Sequence, residues 1–295
     1  MAENETMYNF GGDEYIFVEL SRPFNLSVNF RIMGILTKIL DAKLPALVDY
    51  TPGNSSFLIR YNPDITPPRE MMDIIRGLEE SITDVTSMKI TGRIIEIPVL
   101  FNDPWTHETV MKYREGYHQQ TELSDIDYCA KINGFSSADG LIKAICSAPY
   151  MVLNSGFIPG LAECYQLKPE EEQIQVPKYL NPRPYTPALA FSYAGAFLDI
   201  YPSESTGGAQ LFGMCAGPTI NLEQNLYDFQ DSMILPKPGD LFCIRSIDME
   251  EFKAIRAKLA DGTFRYKTVH GFTFTPKDLM DYAQFAETIK RRLYA

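Results

Sequence analysis

The sequence predicts an α+β chain: a ferredoxin-like α/β sandwich over residues 1–100, then over 101–295 a helical segment and an all-β barrel with flanking helices. Three observations predict it. Strand and helix periods alternate in the order β-α-β-β-α-β up to Leu100. Helical spacing then takes over from Asp103 to about Cys146. From Tyr150 onward, short apolar runs punctuated by Gly and Pro have the pattern of barrel strands.

Tyr15 to Leu20 is strand-like, and from Asn25, an N-cap residue type, Val28, Ile32, Ile35, Leu36 and Ile39 fall at helical spacing. Leu47–Tyr50 and Phe57–Tyr61 flank Thr51-Pro52-Gly53-Asn54, whose Pro-Gly pair predicts a tight reversal and a hairpin. A second helix follows, with Thr66 as cap, Pro67 in its first turn and one apolar stripe of Met71, Ile74, Ile75, Leu78 and Ile82. Ile94 to Leu100 is expected to close the ferredoxin-like series as its last strand. Beyond it, Asp103-Pro104 starts one helix and Ser137-Ala138-Asp139 another. Asp248–Leu259 and Pro276–Leu293 also read as helices outside the barrel, with Thr275 capping the last.

With 295 residues, 45% of them apolar, the chain has the material for one large core or two modest ones, which makes two domains the expectation. No run is apolar enough to cross a membrane, and the acidic start Met1-Ala2-Glu3-Asn4-Glu5 is unlike a signal peptide, so a cytoplasmic protein is expected. Cys129, Cys146, Cys164, Cys215 and Cys243 stand far apart without a C-x-x-C pair, the usage of reduced, buried thiols. The net charge of -11 argues against a nucleic-acid surface, which needs a basic face.

Neither a phosphate-binding P-loop nor a dinucleotide fingerprint is present, so any ATP chemistry belongs to a partner. His107, His118 and His270 lack metal spacing and are read as surface or hydrogen-bonded residues; no metal is expected. Val110-Met111-Lys112-Tyr113 looks superficially like a biotin acceptor, but Lys112 lies in a helical run, so biotin would arrive on another chain. Gly156-Phe157-Ile158-Pro159-Gly160 and Gly207-Gly208 bring backbone close to something. Arg183, in the proline-stiffened Asn181-Pro182-Arg183-Pro184, suits either a carboxylate or carbonyl ligand or an interstrand salt bridge. Tyr201 and Gln210 flank the glycine pair and have polar ends able to reach a small amide or to satisfy the barrel interior.

These stretches carry a resemblance. Gly11-Gly12-Asp13-Glu14-Tyr15-Ile16-Phe17-Val18-Glu19, Ser56-Phe57-Leu58-Ile59-Arg60-Tyr61-Asn62-Pro63 and Gly156–Gly160 resemble the carboxyltransferase C/D family, which includes the B subunit of 5-oxoprolinase and allophanate hydrolase subunit 1. Phe101-Asn102-Asp103-Pro104, Ile132-Asn133-Gly134, Asn181-Pro182-Arg183 and the tail from Arg245 to Leu293 look more like the back half of the carboxyltransferase domain of urea and guanidine carboxylases. The resemblance covers nearly the whole chain and implies a cyclophilin-like barrel after the ferredoxin-like domain. It further implies the C/D subunit of a biotin-dependent carboxyltransferase, moving CO2 from carboxybiotin to a urea-, amide- or ketone-like acceptor. The partners it implies are an A/B subunit and a biotin carrier and biotin carboxylase subunit.

In that setting Gly207, Gly208 and Tyr201 are the expected catalytic residues, and Arg183, Gln210, Gly156, Phe157, Pro159 and Gly160 the expected substrate-binding ones. Two alternatives stand beside this: the B component of an ATP-dependent 5-oxoprolinase-type lactamase without biotin, and a kinase-inhibitor-like binding protein. The chain departs from the oxoprolinase pattern. A family histidine upstream of the Gly-Phe-x-Pro-Gly loop falls at Cys146 or its neighbour, and Gly207-Gly208-Ala209 and Gly213-Met214-Cys215 stand where Gly-Gly-Trp and Gly-Arg-Thr are usual. A different acceptor is the expected consequence.

Overall fold

The computed structural model describes residues 6–295. The chain packs as two units, one running up to Thr91 together with Thr273–Met280, the other comprising Gly92–Phe272 and Asp281–Ala295.

The first unit is a four-stranded antiparallel sheet in the order β1-β2-β4-β3, built from β1 (Met7–Phe10), β2 (Tyr15–Glu19), β3 (Leu47–Pro52) and β4 (Ser56–Tyr61). Helices α1 (Leu26–Asp41) and α2 (Pro68–Glu80) complete it. The inward positions Ile16, Val18, Phe57, Ile59 and Tyr61 share one core with Ile32, Ile35, Ile39, Met71 and Ile75. Asn25 caps α1 as expected, its side chain accepting from the Ser27 N–H at 2.8 Å. The cap of α2 differs from expectation: Pro67 is the cap residue, without a side-chain bond, and Pro68 opens the helix. A proline at 68 holds residue 67 extended, so the helix cannot begin earlier.

The sandwich class stands, but its fourth strand is not Ile94–Leu100. The place beside β2 is taken by β1, joined to it through a turn in which the Gly11 N–H donates to the Tyr15 carbonyl and Gly12 has φ +72°. The predicted last strand is instead part of β5 (Ile90–Phe101), which pairs in the sheet of the second unit. Its burial explains why. Every residue from Ile94 to Phe101 is buried, so both faces need covering, and a sheet layered by helices on one face cannot supply that.

The barrel provides it. Its strands are β5, β6 (Tyr150–Ser155), β7 (Ala162–Gln166), β9 (Ala190–Ala194), β10 (Phe197–Ile200), β12 (Gln210–Cys215) and β13 (Leu241–Ser246). They run in the order β12-β9-β10-β7-β6-β13-β5, and β12 pairs again with β5, closing a seven-stranded ring. β14 (Thr268–Phe274) adds to β5 outside the ring, and β8 (Arg183–Thr186) and β11 (Ser205–Gly207) form a separate two-stranded ribbon.

Helices α3 (Pro104–Lys112), α4 (Asp125–Ile132) and α5 (Ala138–Ile145) follow β5, capped by Asp103, Ser124 and Ser137. Lys112 therefore ends a helix, not a hairpin tip. α6 (Met249–Ala260) places Phe252 and Ile255 in the barrel's core cluster. The last predicted helix divides: Pro276–Met280 is a 3-10 turn, and α7 (Tyr282–Tyr294) begins after its cap Asp281, which accepts from the Gln284 N–H at 2.9 Å. Thr275 is a donor here, its N–H and hydroxyl both directed at Asp278, so it does not cap α7. All five cysteines are free thiols; Cys129, Cys164 and Cys215 are buried and the other two half-buried. No helix among the described residues is long and apolar enough to cross a membrane.

Candidate functional site

A cavity of about 550 Å³ lies in the second unit, within the size range of small-molecule sites. Its wall includes Phe157, Glu163, Lys178, Tyr179, Asp199, Tyr201, Gly207 and Gly208. Of the expected site residues, Tyr201, Gly207, Gly208 and Phe157 thus meet at one place.

Tyr201 follows β10, and its ring packs on the ribbon strand β11. A methyl group at Gly207 would fall on the Tyr201 hydroxyl and 2.7 Å from its Cζ, so the glycine is what lets the phenol approach the backbone. The hydroxyl bonds with the Ala209 N–H and the Thr186 hydroxyl; burial raises its pKa, with the neighbouring Arg183 charge acting the other way. The Gly208 carbonyl accepts from the Tyr179 N–H at 2.8 Å, which ties the glycine pair to the segment before β8.

The loop between β6 and β7 divides its duties. Phe157 lines the cavity, is 71% exposed and sits at φ +66°, a left-handed conformation costly for an aromatic residue. Gly156, Pro159 and Gly160 are not on the cavity wall. Gly156 and Ile158 close the turn through backbone bonds, and Gly160, at the left-handed φ of +88°, sits where a Cβ would press on Ile220 and Pro202 at 3.1 and 3.2 Å.

Arg183 is fully buried and is paired across the ribbon with Gly207. No carboxylate meets it. Its Nη2 donates to Thr186 Oγ1 at 3.3 Å and its Cζ lies 4.3 Å from the centroid of the Tyr179 ring, while Nε and Nη1 have no hydrogen-bond partner. The interstrand salt bridge is therefore absent, and a buried guanidinium stands unsatisfied beside two residues of the cavity wall.

Gln210 is committed on both ends. Its Nε2 donates to the Pro177 carbonyl at 2.8 Å, which leaves Oε1 facing His118 Nε2 at 3.0 Å. An oxygen there accepts, which puts a proton on His118 Nε2, while Nδ1 lies within hydrogen-bond distance of both the Gln120 N–H (3.1 Å) and the Gln120 carbonyl (3.0 Å). Burial lowers the His118 pKa, with the Arg114 charge acting the same way and the Gln210 hydrogen bond and Asp125 charge opposing, so the neutral ring is favoured. Its edge packs on Tyr179, ring centroids 4.5 Å apart.

Behind this wall lies a network that sequence reasoning missed. Asp125, wholly buried in the first turn of α4, accepts from Arg114 Nη1 at 2.6 Å, from the Tyr179 hydroxyl at 2.7 Å and from the Leu211 N–H at 2.7 Å. The Arg114 Nη2 also reaches the Leu123 carbonyl. One carboxylate thus fixes α4, Tyr179 and the start of β12, and the helix N-terminus favours its charge. Burial and the Asp125 charge push the Tyr179 hydroxyl pKa up, which keeps the hydroxyl a donor. Asp199, Glu163 and Lys178 on the cavity wall were likewise unassigned. Asp199 lies in the Asp-Ile-Tyr-Pro run that precedes the glycine pair, so strand alternation around Tyr201 was the available signal. Among the described residues, no group of three His, Cys, Asp or Glu side chains is placed to hold a metal ion.

Comparison with known proteins places this architecture. The model of the carboxyltransferase domain, subdomains C and D, matches residues 6–227. The urea amidolyase of Saccharomyces cerevisiae is 27% identical over 212 residues, covering 71% of this chain and 12% of that protein. The B subunit of 5-oxoprolinase from Escherichia coli O157:H7 is 26% identical over 231 residues, 78% of this chain and 90% of that one. The crystal structure of the K. lactis urea amidolyase superposes with a TM-score of 0.83 at 22% identity, over 99% of this chain and 19% of that one. The chain therefore spans about an eighth of the yeast amidolyase it resembles and most of the oxoprolinase component. With the family model matching the greater part of the sequence, this chain belongs to the carboxyltransferase subdomain C and D family.

Proposed function

We propose that this chain is the C/D component of a biotin-dependent carboxyltransferase that passes CO2 to a small urea-, amide- or ketone-like acceptor. An A/B chain would complete the site, with biotin carried, and ATP used, by other subunits. The single observation that carries the reading is Arg183: a buried guanidinium with two unpartnered nitrogens, stacked on a tyrosine of a cavity large enough for a small acceptor. Such a group fits an anionic or carbonyl oxygen and has little purpose without one. The same feature suits the ureido head of biotin, toward which Arg183 and the exposed Phe157 are the residues this chain offers. Biotin supplies the activated CO2 when bound.

Each residue then has a task. Arg183 holds an oxygen; Tyr201, its hydroxyl already fixed by Ala209 and Thr186, orients the acceptor; Gly207 admits the Tyr201 ring, and with Gly208 forms the stretch of cavity wall whose backbone donors can steady a developing oxyanion. Gln210, with both ends engaged, acts as a positioning residue through His118 and Pro177. The kinship with the B subunit of 5-oxoprolinase, which this chain covers almost end to end, favours a second reading, a lactamase component working without biotin.

Native purification of the chain with its partners, followed by turnover with and without avidin, tests the proposal. Avidin-sensitive CO2 fixation that falls by at least about a hundredfold in Arg183→Ala, with folding intact by circular dichroism, is expected. Lactam-dependent ATP hydrolysis that persists with avidin would establish the second reading, and a stable complex without turnover would overturn both.

A further inference from the structure

Asp199 is a cavity group that the roles above leave unused. Strand alternation in β10 turns Leu198 and Ile200 into the core and Asp199 to the cavity. Its main chain is fixed: it pairs with Ser192, whose hydroxyl donates to the Asp199 carbonyl at 3.0 Å. The side chain is not. Oδ1 is buried without a hydrogen-bond partner. Across the sheet, Phe197 lies opposite Tyr165 and Leu198 opposite Cys164, so the next step of the antiparallel register brings Asp199 beside Glu163, also on the cavity wall. Glu163 accepts from Asn154 Nδ2 at 3.2 Å.

Two carboxyl groups on adjacent strands of one cavity do not both ionise at little cost. Burial, then the charge of Glu163, raise the Asp199 pKa to about 8, against the opposing pull of Lys178. The other titratable groups that sense Asp199 are Cys164, Tyr193 and Tyr201, whose own values burial pushes up, so they stay neutral. Glu163 and Lys178 are the charges that face it. A carboxyl holding its proton is a donor, and the Glu163 oxygens beside it, which already accept from Asn154, are acceptors.

This inference rests on the reading of the cavity as an acceptor site. We propose that Asp199 binds the acceptor directly, donating its O–H to the acceptor's carbonyl oxygen while Glu163 beside it accepts from the acceptor's N–H. The pair selects a neutral molecule with C=O and N–H on adjacent atoms, an amide, urea or lactam, over a ketone.

Two ring compounds of matched shape test it on the full chain by ligand-observed NMR: 2-pyrrolidinone, with C=O and N–H, and cyclopentanone, with C=O alone. Well below pH 8, the lactam is expected to bind about tenfold more tightly than the ketone, the difference one satisfied hydrogen bond makes. Its binding weakens about tenfold as the pH rises past 8. Asp199→Asn, which keeps a donor but cannot titrate, makes the pH profile flat; Asp199→Ala loses the binding at every pH. Equal affinities for the two rings, a flat wild-type profile, or binding by neither ring overturns the assignment. Because binding is read on the chain alone, the outcomes separate. Titrating lactam binding with no biotin-dependent turnover in the complex would remove the carboxyltransferase reading and leave Asp199 in place; avidin-sensitive turnover with pH-independent binding would do the reverse.

Discussion

Asp125 and Gly207 show how single residues set this site. Asp125 neutralises Arg114 where neither is solvated, so Asp125→Ala leaves a buried, uncompensated guanidinium and two orphaned donors on Tyr179 and Leu211. A loss of about 3–5 kcal/mol in urea unfolding is expected, and the Arg114→Met/Asp125→Leu pair should recover much of it, because the apolar double variant leaves no naked charge. Gly207→Ala acts by contact alone. The new methyl group would displace the Tyr201 ring, at about 1–3 kcal/mol in stability, and ligand binding should fall further than stability because Tyr201 lines the cavity. Asp199, unlike Asp125, has no guanidinium bonded to it and faces another carboxyl group instead. Its folded value, about 8, lies above the ordinary 3.8, so the native state holds the proton more tightly and the stability this confers is complete below 3.8. It is lost as the pH rises through about 8. Asp199→Asn should therefore flatten the decline of urea midpoint with pH across that window, and a decline unchanged in the variant would show that Asp199 does not hold its proton in the folded state.

Elements follow local rules closely enough to be read ahead of the structure, and the exceptions have physical causes. Asn25, Asp103, Ser137 and Asp248 each sit before an apolar period, and each caps a helix there. Thr275 is an equally good cap by residue type, yet it donates to Asp278 and the cap is Asp281. Residue type alone does not say whether a hydroxyl near a helix start accepts or donates. Asp281→Ala should cost about 1 kcal/mol and expose the amides of Tyr282 to Gln284 to faster hydrogen exchange, whereas Thr275→Ala should leave those amides unchanged. Strand partners were harder to read than strands. Ile94–Leu100 is an unbroken apolar run, which marks burial on both faces but names no neighbour; β1, by contrast, has little apolar alternation and gains its place only by pairing with β2. The site divided the same way. Tyr201, Gly207 and Gly208 are within a few residues of each other in sequence and were legible together, while Arg114, Asp125, His118 and Tyr179 meet from three separate segments and carry no spacing that announces them.

At the scale of the whole molecule, the barrel exists because β12 turns back onto β5, where Gly213, Met214 and Cys215 pair with Phe101, Leu100 and Val99. The seam needs close approach of two backbones. A Cβ at Gly213 would lie 2.5 Å from the Leu100 carbonyl oxygen and 3.0 Å from the Phe101 Cα, contacts with main chain that no rotamer change relieves. β12 also shifts register against β9 between Leu211 and Gly213 while staying paired with it as far as Met214, so the strand bends beside the glycine that lets it reach β5. On one side of this seam is the core ring of Phe101, Phe191, Tyr193 and Phe212; a few residues upstream are Gln210 and Leu211, held by His118 and Asp125. Closure of the barrel and alignment of the cavity wall are therefore one mechanical event. Gly213→Val should separate β12 from β5, and because both strands are central, the loss belongs to the second unit as a whole rather than to a loop. Hydrogen exchange is the measurement: amides across the β12–β5 seam and the Leu211 N–H should lose protection together, while the amides of β2 and β4, paired within the first unit, keep theirs. Protection retained along the seam in the valine variant would mean that the ring closes without the glycine and that its role lies elsewhere.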